Sequence, residues 1–437
     1  MNRNFKILLP AAILMAVSLV ASSQSPTPDS LSIKEIVTTI VANHPTVKIA
    51  REAIINADAR IGLARTAYYP EADMTASYSN MGPVIKLTIP DMGTFQLFPE
   101  NNYAASLNYR QILYDFGKTR QNIEMETGGK QLGEQALEQV KQKLSLYAVN
   151  TCYTILFLQA AIKIKDEQLA TLNEHLRHVE MMMSTGSATE YQVLSTRVKI
   201  SGVESQKVDL QAGLTAQQAA LNSLLGNGTS RPPAIRQDIS ANKPLVATDS
   251  LLSYALDNRD EMKMNRQRAT LASMRYELVR LSNKPIISLQ ASAGGKNGYV
   301  PELGKIRPNY VVGLGLRVPI YDGLRTKYNL AQVKSSINTI SEETESTRRA
   351  ITNELIEAEA YLEAAGKKVS QFELQLAQAT KANELAKISF ASGIITNLDL
   401  LDSNTALSES RLLLLKARID YAASIYKLEA AMGKRIY

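Results

Sequence analysis

The sequence predicts a mainly α-helical chain with a β-barrel portion, assembled from two copies of one helix–strand–strand–helix plan. The observations behind this are an internal repeat, two helical runs of roughly 65 residues each, and four short segments alternating with period two.

The repeat comes first. Two stretches share a plan at an offset of roughly two hundred residues. Tyr114-Asp115-Phe116-Gly117-Lys118 recurs as Tyr321-Asp322-Gly323-Leu324-Arg325. Met183-Ser184-Thr185-Gly186, followed by Tyr191-Gln192-Val193-Leu194, recurs as Ala391-Ser392-Gly393, followed by Leu398-Asp399-Leu400-Leu401. Leu224-Leu225-Gly226 recurs as Ala431-Met432-Gly433. The three matches keep one spacing, which chance similarity rarely does.

Each half begins with a helix, Leu31 to Ala67 and Ser250 to Asn283 by periodicity, and Pro70 and Pro285 cannot continue them. The long helices are expected over 118–183 and 326–390, stretches almost free of Pro and rich in Gln, Glu, Ala, Leu and Lys. At 1.5 Å per residue such a run spans about 100 Å, longer than a globular domain needs, and points to a coiled coil or a helical tube.

The strands are expected near 71–79, 103–113, 286–293 and 310–318. In the first, Ala72, Met74, Ala76 and Tyr78 share a face opposite Asp73, Thr75, Ser77 and Ser79; Tyr103, Ala105, Leu107 and Tyr109 oppose Ser106, Asn108 and Arg110. Ile287, Leu289, Ala291 and Ala293 alternate with Ser288, Gln290 and Ser292, and Tyr310, Val312, Leu314 and Leu316 with Gly313, Gly315 and Arg317. An outer-membrane barrel needs this pattern, with the apolar face toward lipid and the polar face toward a watery lumen. Four strands cannot close a barrel, and lipid does not tolerate open sheet edges. The missing strands must come from other copies of the chain.

The remaining organisation follows. Residues 1–23 read as a secretory signal peptide: Arg3 and Lys6, an apolar run from Ile7 to Val20, then Ala21-Ser22-Ser23. The first repeat occupies 24–226 with its tip at 184–190, and the second 249–437 with its tip at 391–397. Residues 227–248, with Pro232, Pro233 and Pro244, link them. Beyond the signal, no apolar stretch reads as a membrane-spanning helix. The single cysteine, Cys152, reads as a buried hydrophobe. A net charge of +7 is spread along helices where both signs alternate, and a nucleic-acid partner is not expected.

In its duplicated plan, its Tyr-Asp-Phe-Gly and Tyr-Asp-Gly turns and its Gly-centred turns at Gly186 and Gly393, the chain resembles the TolC-like outer membrane efflux proteins from Leu31 to about Gly433. The resemblance implies a homotrimer in outer-membrane lipid, four strands per protomer closing one barrel and the helices continuing as a periplasmic tunnel. It implies a periplasmic adaptor protein and an inner-membrane transporter as partners, with the turns at Gly186 and Gly393 as the tips the adaptor contacts. It also places Asp399 and Asp402, three apart on one helix face, at the pore constriction. Threefold symmetry would ring the axis with them and favour cations. The family's prototype carries Tyr and Arg near this tip, forming links that hold the closed state; here those places hold Phe390 and Ile395, and the first-half carboxylate position holds Gln192.

Other features read blandly. His175 and His178, with Glu174, lack a third ligand and read as a solvated helix face rather than a metal site. Met181-Met182-Met183 reads as packing between helices, and Gly313-Leu314-Gly315 does not open a helix as a dinucleotide fingerprint would. No catalytic arrangement is supported, and neither an enzyme activity nor a cofactor is expected. The loops 80–102 and 294–309 are expected outside the cell, the first unusually apolar. The functional expectation is a channel carrying small molecules out of the cell. The alternatives are the outer-membrane component of a type I protein secretion system and a soluble periplasmic coiled-coil scaffold.

Overall fold

The computed structural model describes residues 31–228, 233–236 and 248–437. The expected signal peptide and most of the expected linker lie outside them. The described chain runs α1 (Ile33–Asn43), α2 (Pro45–Arg65), β1 (Glu71–Asn80), β2 (Lys86–Ile89), β3 (Gly93–Gln96), β4 (Asn101–Tyr114), α3 (Lys118–Ser184) and α4 (Glu190–Leu225). It continues with α5 (Thr248–Asn258), α6 (Asp260–Arg280), β5 (Ile286–Lys296), β6 (Arg307–Arg317), α7 (Arg325–Ala391) and α8 (Asn397–Ala431).

The long helices α3 and α7 have 67 residues each, about 100 Å at 1.5 Å per residue. The repeated Tyr-Asp turn explains how each begins. Asp115 Oδ2 accepts from Thr119 N at 2.7 Å and Thr119 Oγ1 at 2.5 Å, and Asp322 Oδ2 does the same for Thr326 at 2.8 and 2.5 Å. One carboxylate per repeat thereby satisfies a helix-start N–H that would otherwise lack a partner.

Each opening helix differs from its expectation by being split in two. Pro45 starts α2 and forces His44 into extended backbone (φ −62°, ψ 135°). The residue between α5 and α6, Arg259, is extended (φ −61°, ψ 132°) because the end of α8 crosses there. Its guanidinium donates to the carbonyls of Ala430 and Ala431 at 3.3 Å and pairs with Glu261 and Glu354. Nearby, Arg435 grips Asp260 at 2.5 and 2.9 Å, and the Tyr437 hydroxyl donates to Glu138 of α3, tying the two repeats together.

The largest core lies at this level of the body. Ile36, Val37 and Ile40 of α1 pack on Val149, Cys152, Ile155 and Leu156 of α3, with Leu221 of α4 and Ile419 of α8. This corrects the expectation that no later apolar stretch is long enough to cross a membrane. Helix α3 contains one that is, but more than half of it is buried inside the protein, as a core helix requires.

The four main strands form one antiparallel sheet in the order β1-β4-β5-β6, leaving β1 and β6 as edges. Each strand extends a little beyond the alternating core read from sequence, β4 to Asn101–Tyr114 and β5 to Lys296. Directly paired residues share a face, so the register separates the two sides. Met74 pairs with Leu107, and Ala293 with both Leu107 and Tyr310; on the opposite side Asp73, Asn108 and Ser292 align. The polar side is knitted across strands, Asn108 Nδ2 donating to Asp73 Oδ1 at 3.0 Å and Ser292 Oγ to Asn108 Oδ1 at 3.1 Å. The apolar side is bare on the edge strands: Met74 is 75% exposed and Tyr310 81%. Strands of 11 residues are about 36 Å long and, tilted near 45°, cover about 25 Å, the height of a barrel's apolar band.

Residues 80–102, expected as a loop, contain secondary structure of their own. Strands β2 and β3 form a hairpin within them, with Leu87 opposite Phe95 and Thr88 opposite Thr94.

Candidate functional site

At the end of the body opposite the sheet, α3 turns into α4 and α7 into α8. Both turns close the preceding helix the same way. Ser187 N donates to Met182 O at 2.8 Å and Ile394 N to Ser389 O at 2.8 Å, each spanning a glycine of positive φ, Gly186 at 76° and Gly393 at 71°. This is the Schellman geometry, and it needs a left-handed residue at that point. The following helices open with capping boxes, Thr189 with Gln192 and Thr396 with Asp399.

Asp399 Oδ2 accepts from Thr396 N at 2.8 Å and Thr396 Oγ1 at 2.6 Å. The side-chain bond first, then the backbone bond, hold its carboxyl below the usual carboxylate range, keeping it ionised. Asp402 lies one turn further along the exposed side of α8 and meets Lys199 Nζ of α4 at 3.1 Å. Asp399 is thus occupied in starting its own helix, while Asp402 reaches across to the other repeat. Gln192, like Asp399, is turned onto its own cap, receiving Thr189 N at 2.9 Å.

A residue not anticipated from sequence joins three helices here. Asn397, 3% exposed at the start of α8, meets His175 Nε2 of α3 through Oδ1 at 2.6 Å. Its Nδ2 faces Gln192 O, Ser195 Oγ and Thr196 Oγ1 of α4 at 3.3, 3.3 and 3.4 Å. The amide has two N–H groups, so at most two of those acceptors are served at once. The His175 ring also stands edge-on to Phe390, with centroids 5.2 Å apart. His175 is therefore not the solvated residue expected. Burial pushes its pKa down, outweighing the Asn397 bond that favours the charged form, and His178 adds to the lowering. Below this layer Leu172, Ile200, Val203 and Leu401 form a small apolar cluster.

Met181 and Met183 are exposed, 67% and 41%, so within one chain they do not provide the helix packing expected of them. Among the described residues no group of three His, Cys, Asp or Glu side chains is placed to hold a metal.

Two helices about 100 Å long, each paired antiparallel with a shorter one and joined at one end to a small two-faced sheet with free edges, define a membrane channel of the tunnel-and-barrel class. The chain belongs to the outer membrane efflux protein family, whose sequence pattern matches residues 36–227 and 251–434. The family is one of outer-membrane transport components. The chain is similar to the proteases secretion protein PrtF of Dickeya chrysanthemi, 23% identical over 69% of this chain and 66% of that one. It is 21% identical to the outer membrane protein TolC of Vibrio cholerae, over 85% of this chain and 83% of that one. Its fold matches a solved structure of CusC with a TM-score of 0.78 at 20% identity, covering 93% of each chain.

Proposed function

We propose that three copies of this chain form an outer-membrane channel of a tripartite efflux system, carrying small molecules through a periplasmic helical tunnel and out through a shared β-barrel. A periplasmic adaptor protein contacts the tips at Gly186 and Gly393, and an inner-membrane transporter supplies the cargo. The soluble-scaffold alternative is set aside by the family to which the chain belongs.

The observation that carries the reading is the sheet. Both of its edges are unpaired, and one face is largely apolar, with Met74, Leu107, Tyr310 and Leu314 exposed on it. In lipid each unpaired backbone group is costly, so β1 of one copy must pair with β6 of the next. The tip reading rests on Asp399 and Asp402, which share the exposed side of α8 at the far end from the sheet. Gathered about a threefold axis, they make an acidic constriction that admits cations ahead of anions. The Lys199–Asp402 pair and the Asn397 contacts with α3 and α4 hold α8 against the first repeat.

Replacing both carboxylates by amides tests this while keeping an acceptor for the Thr396 cap. Asp399→Asn with Asp402→Asn is expected to raise conductance in a planar bilayer and to weaken block by multivalent cations. Unchanged conductance together with unchanged block refutes the constriction.

One observation favours a second cargo. PrtF is named for protease secretion, and a tunnel of the same build serves a type I protein secretion system if its partner is an ATP-driven exporter. Co-purification of the trimer with its native inner-membrane partner separates the two.

A further inference from the structure

The β2–β3 hairpin has two unlike faces. Ile85, Leu87, Ile89, Phe95 and Leu97 fall on one side by register, and Lys86, Thr88, Thr94 and Gln96 on the other. The polar side is self-satisfied, with Thr88 Oγ1 and Thr94 Oγ1 2.9 Å apart. The apolar side is bare: Ile85 is 62% exposed and Leu87 49%. A lone two-stranded hairpin is marginal in water, and one with an uncovered apolar face requires a partner surface.

Topology says which surface is nearest. The hairpin leaves the sheet directly from the top of β1, an edge strand. The β5–β6 connection enters the sheet at Arg307, the top of the other edge strand, β6. Once β1 of one copy pairs with β6 of the next, those two points lie about one strand spacing, 4.8 Å, apart. The connection carries its own bare apolar side chains, Val300 at 73% and Ile306 at 59% exposed. Among the described residues, the hairpin's own connection is met at the opposite base, where β4 begins. There Pro99 is buried, a side chain at Gly298 would lie 3.5 Å from it, and Asn297 binds Tyr103 N and Asn101 O. That contact leaves Val300, Ile306 and the apolar hairpin face open.

We infer that the apolar face of the hairpin docks on the β5–β6 connection of the adjacent copy, clasping the extracellular end of each seam between protomers. The inference rests on the trimeric barrel proposed above. It assigns Ile85 and Leu87 of one copy to Ile306 and Val300 of the next.

Paired cysteines test it in cell envelopes carrying the full-length protein. The native Cys152 is buried and does not interfere. Ile85→Cys with Ile306→Cys, and independently Leu87→Cys with Val300→Cys, are treated with a short bis-maleimide and run on a denaturing gel. The clasp predicts covalent dimers and trimers from at least one pair and none from any single variant. Trimers in mild detergent that give no covalent product from either pair overturn the clasp and leave the barrel intact. Covalent dimers from Ile85→Cys or Leu87→Cys alone overturn it too, since the hairpins then meet one another at the axis. Monomers in mild detergent overturn the barrel and the clasp with it.

Discussion

Removing the Asn397 side chain should loosen the tip by a calculable amount. The 2.6 Å contact with His175 is a normal hydrogen bond with a net value of about 1 kcal/mol. The Nδ2 contacts at 3.3 to 3.4 Å are long, and the two that can form together contribute about 0.5 kcal/mol each. Asn397→Ala also strands the half-buried imidazole, whose lost partner adds up to about 1 kcal/mol. The sum, about 2–3 kcal/mol, is roughly a 30- to 150-fold increase in local opening. Amide hydrogen exchange in α8 from Leu400 to Asn404 reads it directly. The rise should be confined to the tip, leaving the Val149–Cys152 core unchanged. A double-mutant cycle with His175→Ala should give a coupling of about 1 kcal/mol. Exchange rates within about threefold of the parent, or no coupling, would refute the assignment of Asn397 as the joint between repeats.

The His175 shift gives a pH dependence of stated sign. Its folded pKa lies below the ordinary histidine value of 6.5, so the unfolded tip binds the proton more readily. The stabilising contribution is complete above about 6.5 and is lost as pH falls toward the folded value; tip protection, taken relative to the intrinsic exchange rate at each pH, should fall between pH 7.5 and 5, and His175→Gln should flatten that profile. Gly393→Ala places a side chain at φ 71° and should cost about 1 kcal/mol, seen as faster exchange at the second tip and not the first. Cys152, whose thiol burial pushes up to about 12, should resist maleimide in the native trimer and react fully in denaturant.

The long helices and the four main strands were legible because each is written in a local signal. Period two marks the strands, Pro70 and Pro285 stop the opening helices, and Asp115 and Asp322 cap the next ones within four residues. The breaks at His44 and Arg259 were harder. Pro45 was a visible stop for one, whereas Arg259 bends because the distant C-terminal end of α8 needs its guanidinium. The β2–β3 hairpin was obscured by Pro83 and Pro90, which flank its first strand and read as loop. The functional tip was legible as a place but not as chemistry. Asp399 and Asp402 drew notice as charges, yet the residue joining the helices is neutral. A usable signal existed: Asn397, Leu400, Leu401, Asn404 and Ser408 recur at helical spacing and are all buried. A polar residue on an apolar stripe implies a buried hydrogen-bond partner.

The barrel depends on edge strands being completed by other copies of the same chain. Native mass spectrometry of the full-length protein, extracted from membranes in mild detergent, measures that directly. A particle of three chains that runs as one chain after denaturation is expected. A single chain, released into the aqueous fraction without detergent, would contradict it.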